Sequence, residues 1–271
     1  MKVYLHQFLS GTGSFDGKAA VYRAIREGEI AVDGKVVLNR LYQLRPGKRE
    51  VRWNGAVLKP ASSKTYIILN KPMGFLSSRL TPVERSFGRR SVFDLLAGLD
   101  EKVVKSLFCV GRLDEDTSGL LILTNDGELC SRLTDPKFGV ERTYSGFLEK
   151  DMAEEDIKRI EEGVVIELEE NGKVTNYRTK KCGIMIDERD RRKFVITLSE
   201  GKKREVRRMF RATGNKVKRL RRIAIGGLRL DSLGIREGKY LVSDRSFIED
   251  RIREAGACRL GVGRYKTKAF I

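Results

Sequence analysis

The sequence predicts an α+β protein of two domains, the larger built on a mixed, mainly antiparallel sheet flanked by helices. Three observations predict it. Stretches of alternating apolar residues outnumber helical ones. Most connections between them are short, which favours antiparallel or mixed pairing over a doubly wound parallel sheet. A stretch rich in Pro, Ser and Lys, LKPASSK at 58–64, divides a chain of 271 residues, long enough for two cores.

The elements follow in order. Leu5, Phe8 and Leu9 have helical spacing, and Ala20, Val21, Ala24 and Ile25 mark a second amphipathic helix that Gly28 ends. Ile30, Val32, Asp33-Gly34, Val36 and Val37 read as a hairpin, because Asp-Gly supplies the positive φ angles of its turn. This first segment holds 11 Lys or Arg against 5 acids. The stretch AAVYRAIREGEIAVDGKVV resembles the S-four-like RNA-binding domain named for a ribosomal protein; a generic small domain with a solvated basic face would carry the same signals. The glycines of SGTGSFDG follow no buried strand, so they read as a loop between helices rather than a nucleotide site.

Beyond the linker, YIILNKPMG is a strand ending at Pro72, and SVFDLLAG at 91–98 a short helix capped by Ser91. Two strands flank Asp114. DGELCSRLT follows as a helix; TYSGFLE, VTNYRTKKCGIMI and FVITLSEG alternate as strands. The domains are therefore expected at 1–60, 65–245 and, as a basic tail, 246–271, whose last 21 residues hold 6 basic residues and one acid.

A net charge of +18 and a pI near 9.9 point to a polyanion as partner. No apolar stretch approaches the roughly 20 residues that span a bilayer, and MKVYLHQFLSGTG lacks the long apolar run of a signal peptide. A cytoplasmic protein without a membrane partner is expected. Cys109, Cys130, Cys182 and Cys258 are far apart, which indicates neither a zinc site nor a disulfide framework. His6 is the only histidine, so any chemistry falls to carboxylates, Tyr, Lys or Arg.

Among the carboxylates Asp114 stands out. It lies in GRLDEDTSGLLILTNDG at 111–127, in a turn between two apolar runs, with Arg112 before it and Thr117, Ser118 and Gly119 after it. Small hydroxyl and glycine residues let backbone fold tightly beside an anion, and loops on rigid strands are where reactive groups concentrate. An Asp114 that simply caps the turn and pairs with Arg112 would look the same. The densest basic element lies between Gly201 and Arg222, with 11 Lys or Arg and one acid, Glu205. On a helix from about Lys203 to Ala212, Val206, Met209 and Phe210 form an apolar stripe, while Lys203, Arg207 and Arg211 align at i, i+4 spacing. Such stacked like charges are expected to face an anion. KVKRLRRIAIGGLRL then alternates as a strand with one face in the core and the other toward phosphate.

NKPMG at 70–74, VFDLL at 92–96, VGRLDEDTSGLLILTNDGEL at 110–129, ERTY at 141–144 and LSEGKKREVRRMFRATGNKVKRLRRIAIGGLRL at 198–230 together resemble one family, in order. It is the RNA pseudouridine synthases that act on bacterial ribosomal RNA, in the branch with an N-terminal S-four-like domain. The resemblance spans roughly residues 1–245. It implies an isomerase that detaches uracil from ribose, turns it and rejoins it through carbon 5, with no cofactor. Asp114 occupies the position of the essential aspartate, which either attacks the anomeric carbon or takes a proton from the neighbouring ribose carbon. Arg207 matches the arginine partner, expected to fork onto Asp114 and keep it ionised. Tyr144 matches the tyrosine that stacks on the base, and Leu220 an apolar residue of the same pocket. Arg112 is a candidate to fill the stack left by a flipped nucleotide. Lys71 and Asn70 are expected to shape the substrate loop. Two departures are Glu205, where glutamine is usual, and Tyr240, at or near a usual tryptophan.

The expected function is isomerisation of specific uridines in ribosomal RNA, free or in a ribosome assembly intermediate, by a monomer. Lys203, Arg204, Arg208, Arg211, Arg23 and Arg26 are the candidate RNA contacts. The LTDPKFGVERTY stretch leans toward large-subunit RNA. The alternative is a non-catalytic RNA-binding assembly factor on the same fold; an RNA methyltransferase would need a glycine-rich cofactor loop, which is not found.

Overall fold

The computed structural model describes residues 2–59, 63–170 and 172–254. The N-terminal segment folds around its own core. Helices α1 (Leu5–Ser10) and α2 (Lys18–Arg26) bury Leu5, Phe8, Leu9, Val21, Ala24 and Ile25 against a four-stranded antiparallel sheet. Its strands are β1 (Ile30–Val32), β2 (Lys35–Val36), β3 (Val51–Trp53) and β4 (Ala56–Leu58), in the order β2-β1-β3-β4. Asp33 and Gly34, at φ 47° and 79°, make the β1–β2 turn. Residues 60–62 of the expected linker lie outside the described residues.

The second segment is built on a nine-stranded sheet. Its main path uses β5 (Tyr66–Lys71), β7 (Ser118–Thr124), β8 (Arg142–Leu148), β11 (Gly183–Ile186), β12 (Lys193–Leu198), β13 (Val217–Ile225) and β15 (Tyr240–Ser243). The order is β11-β12-β8-β13-β7-β5-β15, with β6 (Phe108–Val110) beside β7 and β14 (Leu228–Arg229) beside β13. Every pair in this sheet is antiparallel except β7 and β13, joined in parallel through Ser118–Arg221 and Gly119–Arg222. That central parallel contact needs Gly119: at φ 105°, a Cβ there would meet the Arg222 carbonyl oxygen at 2.2 Å.

Both faces of the sheet are covered. On one, α4 (Glu154–Glu162) and α5 (Glu205–Ala212) pack with a hairpin of β9 (Val165–Glu170) and β10 (Lys173–Arg178) around Phe194, Met209 and Phe210. That hairpin was not expected as a separate unit; VTNYRTKKCGIMI splits into β10 and β11. A further cluster joins Ile68, Leu120, Ile122 and Leu129 of α3 (Gly127–Thr134) to Ile248. Ile248 belongs to α6 (Arg245–Glu254) and is fully buried. The expected boundary at 245 is therefore corrected: the core runs on through α6, because Phe247, Ile248 and Ile252 complete its apolar surface. Residues 255–271 of the expected tail lie outside the described residues.

Two expectations about the basic segment also change. Helix α5 begins at Glu205, because Arg204 adopts a left-handed conformation at φ 54°, so Lys203 is not on the helix and only Arg207 and Arg211 share its stripe. In β13, alternation from Leu220 carries Arg222 inward with Ala224, where it is 2% exposed and its Nε donates to the Leu120 carbonyl at 2.8 Å. The exposed basic residues of this strand are Lys218 and Arg219.

Burial of Ile248 gives a direct check. Ile248→Ala should lower stability by about 2–5 kcal/mol in denaturant unfolding; a loss under about 0.5 kcal/mol would place α6 outside the core.

Candidate active site

Asp114 sits between β6 and β7, in a turn closed by the Thr117 amide donating to its carbonyl at 3.1 Å. The turn is held from below by Lys71, the last residue of β5, whose side chain is wholly buried. Its ammonium donates to the carbonyls of Thr117 at 2.7 Å, Asp114 at 3.1 Å and Pro72 at 3.1 Å, with Glu115 at 3.5 Å. Two further bonds fix the approach. Ser77 Oγ donates to the Leu113 carbonyl at 2.8 Å, and the Gly74 amide to that of Glu115 at 2.8 Å. Burial pushes the Lys71 pKa down to about 8, and the charges of Asp114, Asp116 and Glu115 oppose that fall.

The turn's main chain is thus locked while the Asp114 carboxylate stays 35% exposed. The cation paired with it is Arg204, with Nη1 3.6 Å from Oδ2. Arg204 also forks onto Asp116 at 3.1 and 2.8 Å. The expected fork from Arg207 onto Asp114 is corrected: Arg207 donates to the carbonyls of Val217 and Asp116, each at 2.7 Å, and lies 3.3 Å from the Asp116 carboxylate. Arg207 is on the first turn of α5, and its reach ends on the backbone that follows Asp114. Burial opposes ionisation of Asp116, but its hydrogen bond from Arg204 and the Arg207 charge outweigh this and hold its pKa below the usual range. On the other side Arg89 pairs with Glu115 at 2.5 Å.

The other expected residues fall as follows. Tyr144, half-buried on β8, packs against the cluster that contains Leu113, the residue before Asp114. Leu220 is buried on the neighbouring β13, opposite Gly146. Arg112 is exposed and makes no hydrogen bond or ion pair among the described residues. Lys203 and Arg211 are exposed, Arg208 donates to the Glu167 carbonyl, and Arg23 and Arg26 are exposed beside Glu27 on α2.

The family model described as "RNA pseudouridylate synthase" matches residues 65–212, more than half of the chain. The chain belongs to that family. A relative in Aquifex aeolicus, "Uncharacterized RNA pseudouridine synthase", is 39% identical over 238 residues, covering 86% of this chain and 88% of its own. "Ribosomal small subunit pseudouridine synthase A" of Yersinia pestis is 32% identical over 243 residues, 90% of this chain and 94% of its own. The solved "Crystal structure of pseudouridylate synthase" superposes with a TM-score of 0.62 at 29% identity, over 92% of this chain and 99% of the other. The chain is an RNA pseudouridine synthase, an isomerase with a mixed, mainly antiparallel sheet.

Within this synthase, sequence reading missed the structural weight of Lys71, and Ser77 altogether. The signal for Lys71 was present: a lysine ending an otherwise apolar strand, YIILNK, must find partners for its ammonium. Lys71→Met should cost about 2–3 kcal/mol of stability, since the carbonyls it serves would lose their donor. Turnover should fall by about a hundredfold as the turn loses its placement. Unfolding and single-turnover assays check this, and wild-type values in both would refute the role.

Proposed function

We propose that this synthase converts uridine to pseudouridine in small-subunit ribosomal RNA, with Asp114 as the reacting carboxylate and no cofactor. The observation that carries the reading is the contrast at the turn: the backbone of Asp114 is fixed by a buried ammonium while its carboxylate stays accessible beside Arg204. Substrate class rests on the relatives whose names give one, in Yersinia pestis and Escherichia coli, both named for the small subunit. The large-subunit lean of LTDPKFGVERTY is therefore not carried forward.

In the proposed mechanism the target uridine is flipped out of its stack, at a cost of a few kcal/mol. Arg112, exposed and unpaired among the described residues, takes the vacated place. Asp114 attacks the anomeric carbon or takes the neighbouring ribose proton; in either case the bond from ribose to base nitrogen breaks, the uracil turns on the ring of Tyr144 beside Leu220, and carbon 5 bonds to the anomeric carbon as the bond from Asp114 to ribose breaks or, in the second route, as Asp114 returns the ribose proton. Carbon 5 then gives up its hydrogen as a proton, and the freed ring nitrogen gains one, so the product is an isomer. Arg204 and Arg207 act by position: one lies beside the carboxylate, and the other holds the Asp116 backbone. The N-terminal module, read as S-four-like, and the exposed Lys203, Arg211, Arg23 and Arg26 hold the phosphates.

Release of the carbon 5 hydrogen makes the test. With ribosomal RNA tritiated at carbon 5 of uridine, the wild type should release tritium to water from small-subunit RNA or its assembly intermediates, and Asp114→Ala should release none. Release from large-subunit RNA alone would overturn the substrate assignment, and equal release by Asp114→Ala the assigned carboxylate.

A further inference from the structure

Behind Arg204 lies a pair of buried acids that the reaction itself does not use. Glu200 follows β12 and Glu205 opens α5; they are 5% and 4% exposed, and each carboxyl acts on the ionisation of the other. The donors around them are unevenly shared. Glu200 accepts from the Tyr177 hydroxyl at 2.5 Å and the Lys180 amide at 2.8 Å. Glu205 Oε2 accepts from the Lys202 amide at 2.8 Å, while its buried Oε1 meets no donor among the described residues. Two neighbouring buried carboxyls do not both ionise readily, and among the described residues no cation is bonded to either, although the Lys180 charge acts on Glu200. The remaining charged or titratable groups facing Glu205 are Lys202, whose ammonium lies over the Tyr177 ring at 4.6 Å, and Tyr177, Cys182 and Arg142. The proton belongs on Glu205, the partner with fewer donors.

The pair closes the turn that carries Arg204. The Glu205 side chain takes the Lys202 amide, and its own amide donates to the Lys202 carbonyl at 3.2 Å. Arg204 is held between these two bonds in a left-handed conformation that a non-glycine residue keeps only when its surroundings impose it. From there its guanidinium reaches Asp114 and Asp116.

We propose that Glu205 is a positioning residue for Arg204: as a buried protonated acid beside Glu200, bonded to Lys202, it closes the 200–205 turn and so sets Arg204 against the Asp114 turn. Burial, reinforced by the neighbouring Glu200, pushes the Glu205 pKa up to about 8. Above that pH two buried carboxylates repel, the turn opens and Arg204 leaves its place. The sign follows from proton uptake on folding. The folded chain keeps this proton where the unfolded chain has lost it, so its contribution is full below the ordinary glutamate range and is lost as pH rises through about 8. Glutamine keeps an N–H donor at every pH.

The kinetic readout rests on the proposed function; a titration does not. The ratio of single-turnover rates, Glu205→Gln over wild type, should rise about tenfold between about pH 7 and about pH 9, with no matching change in RNA affinity. Lys71 titrates in the same range in both proteins, so the ratio isolates Glu205. A ratio constant with pH, or a change carried by affinity alone, overturns the proposal. Independently, carbon-13 carboxyl NMR of the unmodified protein should show a glutamate titrating near 8 that disappears in Glu205→Gln and moves to lower pH in Glu200→Gln. Absence of that titration overturns the proposal whether or not an RNA substrate is known. A present titration with no turnover on ribosomal RNA faults the functional reading instead.

Discussion

A lysine ammonium buried at the end of β5 binds the carbonyls on both sides of the Asp114 turn, and the geometry of the site depends on it. Taking such a charge out of water is costly unless it is hydrogen-bonded and compensated. Here three close carbonyls supply the bonds, and the acids at 114, 115 and 116 supply the opposing charge. Burial still wins part of the contest, as the lowered pKa shows. What the fold gains is a backbone that cannot drift beneath an exposed side chain.

Charge is divided among neighbours with different tasks. Asp116 takes the fork of Arg204 and the approach of Arg207, and Glu115 takes Arg89. Asp114, flanked by these satisfied acids, meets among the described cations only the edge of Arg204, at 3.6 Å. An acid tied into a full fork would be a structural ion pair; one held beside a cation but open to solvent can meet a substrate. The acid pair behind Arg204 extends the same logic one layer inward, since the cation itself has to be held.

Much of this was legible in the sequence, for identifiable reasons. The strands on either side of Asp114 are continuous apolar runs, and the Asp33-Gly34 turn, the Ser91 cap and the α5 stripe of Val206, Met209 and Phe210 are local signals that tertiary contacts did not override. What failed were statements about reach. Arg207 was read onto Asp114 from motif position, yet which carboxylate a guanidinium meets depends on side-chain direction from the first turn of α5. The basic segment after Gly214 was read as a strand with its basic face toward phosphate, while alternation from Leu220 put Arg222 inside. The tail boundary missed α6 because three apolar residues among charges look like solvated helix until a core is seen beneath them. The proposed protonation of Glu205 was invisible in the sequence, because the burial that favours it comes from the closure of the loop.

In the proposed function, holding RNA is a task of exposed basic residues and transforming it a task of one carboxylate on a fixed turn. Asp114→Asn tests that separation most directly, since it keeps shape and removes the charge. Single-turnover pseudouridine formation at saturating protein should fall by about a thousandfold or more, while the RNA dissociation constant stays within about threefold of wild type. Turnover within about tenfold of wild type would contradict the account.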